Sequence, residues 1–90
     1  MKPVLVTTEY RGVFFGYVEE YPNLDESTTI SLKHARMAVY WATNKGVMQL
    51  ASEGVQKNSL VSSIADIPSL AKVTAVFRVS EEAEETWKAA

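Results

Sequence analysis

The sequence predicts an α+β fold: a small antiparallel sheet, open or barrel-like, with two short helices at about residues 46–53 and 81–88. Three observations lead there. Short runs of alternating β-branched and aromatic residues fill the first half of the chain and return at "KVTAVFRVS". No strand–helix–strand unit repeats, which disfavours a parallel sheet. Only two segments combine helical periodicity with helix start or stop residues.

Val4–Thr8 is apolar and β-branched and reads as a strand. "EYRG" then turns the chain, with Gly12 expected to supply a positive φ. "VFFGYVEE" resumes the alternation and completes a hairpin, with Val13, Phe15, Tyr17 and Glu19 on one face. Gly16 inside that strand marks a bulge or a close backbone approach. "YPNLDEST" is a loop of turn-forming residues, and "TISL" is a third strand. The following "RMAVYW" fits either period. The β-branched and aromatic residues of its second half favour a strand.

"TNKGVMQLASEG" reads as a helix, capped by Thr43 or Asn44, striped by Val47, Leu50 and Ala51, and stopped by Gly54. "LVSSIADIPSL" reads as a short strand and a turn before Pro68. In "KVTAVFRVS", Val73, Ala75, Phe77 and Val79 share one strand face. Ser80 caps a terminal helix whose first turns carry Glu81, Glu82, Glu84 and Glu85, a placement that suits the helix dipole. Ala83 and Trp87 give that helix a face to dock.

The 90 residues fit a single domain, 1–90. A core this small is thin, and no cysteine is present to staple it. With 47% hydrophobic residues, association into a homo-oligomer is expected. A net charge of −2 disfavours general nucleic-acid binding through a basic face. "MKPVLVTTEYRG" does not read as a signal peptide, and no apolar run reaches the ~20 residues of a membrane span. The expectation is a cytoplasmic protein with no membrane partner.

Catalytic patterns are missing. The single histidine, His34, has no His or Cys partner for a metal, so neither a metal site nor a cofactor is expected. No nucleophile elbow or phosphate loop occurs. The chain is therefore read as a non-enzyme. Binding would draw on residues that join flat apolar area to polar ends. The candidate ligand-binding residues are Arg11 at the hairpin tip and His34, Arg36, Tyr40, Trp41 and Lys45 along "SLKHARMAVYWATNKG". Arg36, Arg11 or Lys45 would meet a phosphate or carboxylate, and Tyr40 or Trp41 would stack on a ring. The structural alternative makes Trp41 core, leaves Tyr40 half-buried, and pairs Arg36 with a glutamate.

Nearly the whole chain resembles a group of small proteins of unknown function found mainly in bacteriophages and prophages. The resemblance rests on Gly12, Val13 and Gly16, on Ala35, Arg36 and Trp41, on Leu50, Ala51 and Gly54, and on Val79, Ser80, Glu82 and Ala83. It implies a phage accessory protein expressed in the bacterial host cytoplasm. Proteins of that class often counteract host defence, by sequestering a small nucleotide-like ligand or by blocking a host defence protein, and often as homo-oligomers. A structural, assembly or minor virion role is the alternative.

Overall fold

The computed structural model describes residues 1–90. Its elements run β1 (Lys2–Thr8), β2 (Val13–Val18), β3 (Ile30–Tyr40), α1 (Met48–Ser52), β4 (Leu60–Val61), β5 (Ala65–Leu70), β6 (Val73–Arg78) and α2 (Glu81–Ala89). All pairings are antiparallel, in the order β4-β3-β2-β1-β6, with β5 on the same β3 edge as β4. The α+β class holds, and "RMAVY" is strand, with Trp41 just past its end.

The sheet is not closed into a barrel. β5 pairs only with β3 and β6 only with β1, although two residues separate them. They are two arms of one bent segment that pair with opposite edges of the sheet, and no ladder between them completes a ring. The corner between them is lashed down by Glu9 N donating to Lys72 O and Val73 N donating to Thr28 O, both at 2.9 Å. Lys72 sits there at φ +58.

Two bulges decide which side chains face which way. On β3, the pairs Phe15↔Arg36 and Tyr17↔Lys33 leave one extra residue, and His34 occupies it at φ +49. Alternation therefore flips along the strand. Ile30 and Leu32 face one side of the sheet, whereas Arg36 and Ala38 face the other. On β6, Thr7↔Ala75 followed by Thr8↔Val73 leaves Thr74 extra. Val73 consequently joins the side opposite Phe77, not the shared face that simple alternation predicts.

The sheet is buried on both sides. One side packs Val4, Val6, Val18, Ile30 and Leu32 under β5 and its Ile67 and Leu70. The other packs Leu5, Val13, Phe15 and Ala38 against Leu50 and Ala51 of α1 and Trp87 of α2. Gly16 is a close approach: a Cβ there would lie 3.2 Å from Leu32 Cβ.

Several local expectations are corrected. Arg11, at φ +64, takes the positive φ of the first turn instead of Gly12. The first helix shrinks to Met48–Ser52, and its N-cap is Val47 with no side-chain bond. Thr43 Oγ1 instead accepts from Gly46 N (3.0 Å), which ties the preceding loop. "LVSSIADIPSL" forms two strands, and Pro68 lies inside β5, whose one ladder partner leaves an edge free for a residue without an N–H.

The C-terminal helix follows its sequence signals. Ser80 Oγ accepts from Ala83 N (3.0 Å) and donates to Ser52 O (2.8 Å), so one hydroxyl caps α2 and joins it to α1. Gly54 ends α1 at φ +99, and its N–H donates to Gln49 O. A Cβ at Gly54 would collide with Thr86, whose Oγ1 accepts from Val55 N (2.9 Å). Gly54→Ala is therefore expected to cost about 1–2 kcal/mol, measured by urea unfolding. Gly46→Ala has a comparable φ of +87 but open space around it, so it isolates the backbone share.

Candidate functional site

The two helices cover only half of their side of the sheet. Leu5, Val13, Phe15 and Ala38 lie beneath them. The same side continues through Tyr17 of β2 and through Ser31 and Lys33 of β3, with Glu19 just past the end of β2. Glu19, Ser31, Lys33 and His34 are exposed. The back of this open half is firm, because Val4, Val18, Ile30 and Leu32 pack behind it. A rigid strand platform of this kind holds side chains more precisely than a loop does.

Two cavities lie on the platform, with Tyr17 as their shared wall. The first, of about 270 Å³, is bounded by Met1, Tyr17, His34, Ile64 and Lys88. The second, of about 260 Å³, lies at the end of the platform, where Tyr17, Glu19, Glu20, Ser31 and Lys33 line it and it reaches Val18 and Ile30 of the opposite side. A third hollow lies elsewhere, near Thr43, Asn44 and Lys57.

The β3 bulge puts His34 at this place. A residue with a Cβ normally costs about 1–2 kcal/mol in the left-handed region. Here Asp66 holds it, its carboxylate accepting from His34 N at 2.9 Å. That bond, with the nearby Lys33 ammonium, keeps the Asp66 carboxyl below the usual carboxylate range despite some opposing desolvation. The stabilisation is present above that ordinary range and is lost as pH falls through the lowered folded value. Asp66→Ala is expected to speed hydrogen exchange at the His34 amide several-fold while core amides stay protected. Unchanged exchange at His34 would mean that the bulge stands without Asp66.

Tyr17 is fixed from the other side. Its hydroxyl donates to Glu84 Oε2 at 2.6 Å, and its ring meets His34 edge-on at 6.3 Å between centroids. Burial, then the hydrogen bond to Glu84 and the charge of that carboxylate, push the phenol well above its ordinary value of 10. A raised folded value means that the stabilisation is complete below about pH 10 and fades as pH rises through the folded value. A spectrophotometric alkaline titration of the parent minus Tyr17→Phe should therefore show a phenol ionising well above pH 10. Ionisation at or below pH 10 would contradict the Glu84 bond.

The six residues singled out from sequence do not converge. Arg11 is exposed at the hairpin tip. Tyr40 is 62% exposed at the end of β3, more than the half-burial expected. Trp41 packs against the helix-side core. Lys45 pairs with Glu53 at 2.9 Å. Arg36 points under α2, where Nε donates to Ser62 O (2.9 Å) and Nη1 to Trp87 O (2.8 Å). Its partners are carbonyls, not the expected glutamate. Of the six, only His34 lines a cavity on the platform.

Nothing local in the sequence marks Tyr17, Glu19, Ser31, Lys33 and Lys88. They meet only through strand register and the docking of α2. Their one sequence signal was the shared alternation of Tyr17 and Glu19.

No group of three or more His, Cys, Asp or Glu side chains converges as a metal site would require. No helix is long and apolar enough to cross a membrane. A family model described as "Domain of unknown function (DUF6948)" matches residues 1–87. The chain belongs to that family. No curated protein and no solved structure matches it. The DUF6948 match spans every strand of the platform and the Glu84 that fixes Tyr17.

Proposed function

We propose that this chain is a non-enzymatic binding protein that holds a small nucleotide-like ligand on the open half of its sheet. The observation that carries the reading is the bulge that sets His34, at φ +49, into the wall of a cavity otherwise bounded by Met1, Tyr17, Ile64 and Lys88. β-Bulges are over-represented where a side chain must be re-aimed beside a site. Met1, Ile64 and the Tyr17 ring offer apolar area to a planar group, and Lys88 offers an ammonium to an anion.

The biological setting of this reading is a phage accessory protein, working in the host cytoplasm as a homo-oligomer and countering defence by sequestration. The resemblance across the chain supports that setting. A second reading, assembly with itself or with a virion or host protein, is favoured by Met37 and Val39. Met37 is 39% exposed on the other side of the sheet, opposite half-buried Phe14, and Val39, two residues on, is 55% exposed.

Thermal unfolding in the presence of mono- and cyclic nucleotides tests the ligand reading. A ligand at 100 times its Kd should stabilise the fold by about 2.7 kcal/mol. His34→Ala and Lys88→Ala should abolish or sharply weaken that shift without changing the melting of the free protein. If no nucleotide in the panel raises the melting temperature, the reading fails.

A further inference from the structure

The second cavity has chemistry of its own. Its walls carry two carboxylates (Glu19 and Glu20), two hydroxyls (Thr29 and Ser31) and an ammonium (Lys33). Tyr17 stands opposite Lys33 in an antiparallel pair, and the bend just past the end of β2 brings Glu19 into the same wall as Ser31. The neighbouring Glu20 is already engaged, since its Oε2 accepts from Lys2 Nζ at 2.8 Å, and Lys2 holds its carboxyl below the usual range. Glu19 makes no ion pair or side-chain hydrogen bond. It is the uncommitted acceptor of this lobe.

From this geometry we infer that the second cavity is the sugar-binding half of the site, and that the ligand is a nucleoside or nucleotide with an intact vicinal diol. The inference rests on the reading that the His34 cavity takes the planar ring. A carboxylate accepts from two adjacent hydroxyls, as acidic residues do at the ribose of dinucleotides. Thr29 and Ser31 both donate and accept, so they suit hydroxyls. Glu19 would repel a phosphate, which argues against a phosphate pocket in this lobe. Tyr17 is the partition over which the base–sugar bond lies. Its hydroxyl is anchored to Glu84, so the partition is pre-formed.

The test is calorimetric titration of the full chain with three matched probes: adenine, adenosine and 2′,3′-dideoxyadenosine, with the uracil series alongside. Adenosine or uridine should bind at least about tenfold more tightly than its dideoxy counterpart, as expected for hydrogen bonds to a charged acceptor. Glu19→Gln, at an exposed position, should shrink that ratio towards one and leave binding of the bare base unchanged. His34→Ala should weaken base and nucleoside alike. Equal affinity for the nucleoside and its dideoxy form would overturn the sugar lobe while leaving the ring cavity standing. A full diol preference in Glu19→Gln would overturn the role given to Glu19. Failure of every probe to bind would overturn both readings.

Discussion

Trp87→Ala is expected to lower the unfolding free energy by about 3–5 kcal/mol, the usual cost of emptying a large aromatic from a core. Trp87 is fully buried and stacks on Phe15, with ring centroids 5.3 Å apart and planes 4° from parallel. Its Nε1 donates to Leu50 O at 3.0 Å, so one side chain joins α2, the sheet and α1. A domain of this size holds only about 5–15 kcal/mol in total. The variant should therefore unfold at a much lower urea concentration, or be partly unfolded in buffer. Trp87→Phe keeps part of the stacking but loses the Nε1 bond, and should fall between. A loss below about 1 kcal/mol for Trp87→Ala would contradict this packing.

Arg36→Met is expected to cost about 2–4 kcal/mol, because two charge-assisted bonds disappear and two carbonyls lose their partner. The methionine keeps most of the aliphatic stem, so the loss reports the guanidinium. Arg36 Nη1 reaches the Trp87 carbonyl at the end of α2, where a cation also complements the helix dipole. Its Nε holds Ser62 O, which fixes the segment leading into β5. Arg36→Lys should recover little, since a single ammonium does not reproduce the fork. Equilibrium urea unfolding checks both. If Arg36 instead serves as a surface ligand residue, Arg36→Met would leave stability unchanged and remove binding alone.

These two residues show what the sequence carries and where it stops. Trp87 was legible as a docking residue because Ala83 and Trp87 lie four apart behind a Ser80 cap, a local pattern. Arg36 was legible only as a cation in a strand. Its direction depends on the extra residue at His34, and a bulge leaves no trace in alternating hydrophobicity when Ala35 and Ala38 are both small. The flip sends Arg36 under α2 and opens the platform around His34.

Simple alternation puts Val73 on the wrong face for the same reason, through the extra Thr74. Whether the antiparallel sheet closes was equally hidden. Two residues at Ala71 and Lys72 look like a hairpin turn, yet the strands they join run to opposite edges. The platform residues come from β2, β3 and α2, and only long-range register unites them.

The central claim is that the uncovered half of the helix-side sheet binds a nucleotide-like ligand. Nuclear magnetic resonance tests it directly, by following every backbone amide of the labelled chain during titration with adenosine monophosphate. Saturable shifts should centre on Tyr17, Glu19, Ser31, Lys33, His34 and Lys88, and should vanish in His34→Ala. Shifts confined to Arg11, Tyr40 and Lys45, or to Met37 and Val39, or no saturable shift at all, would contradict the account.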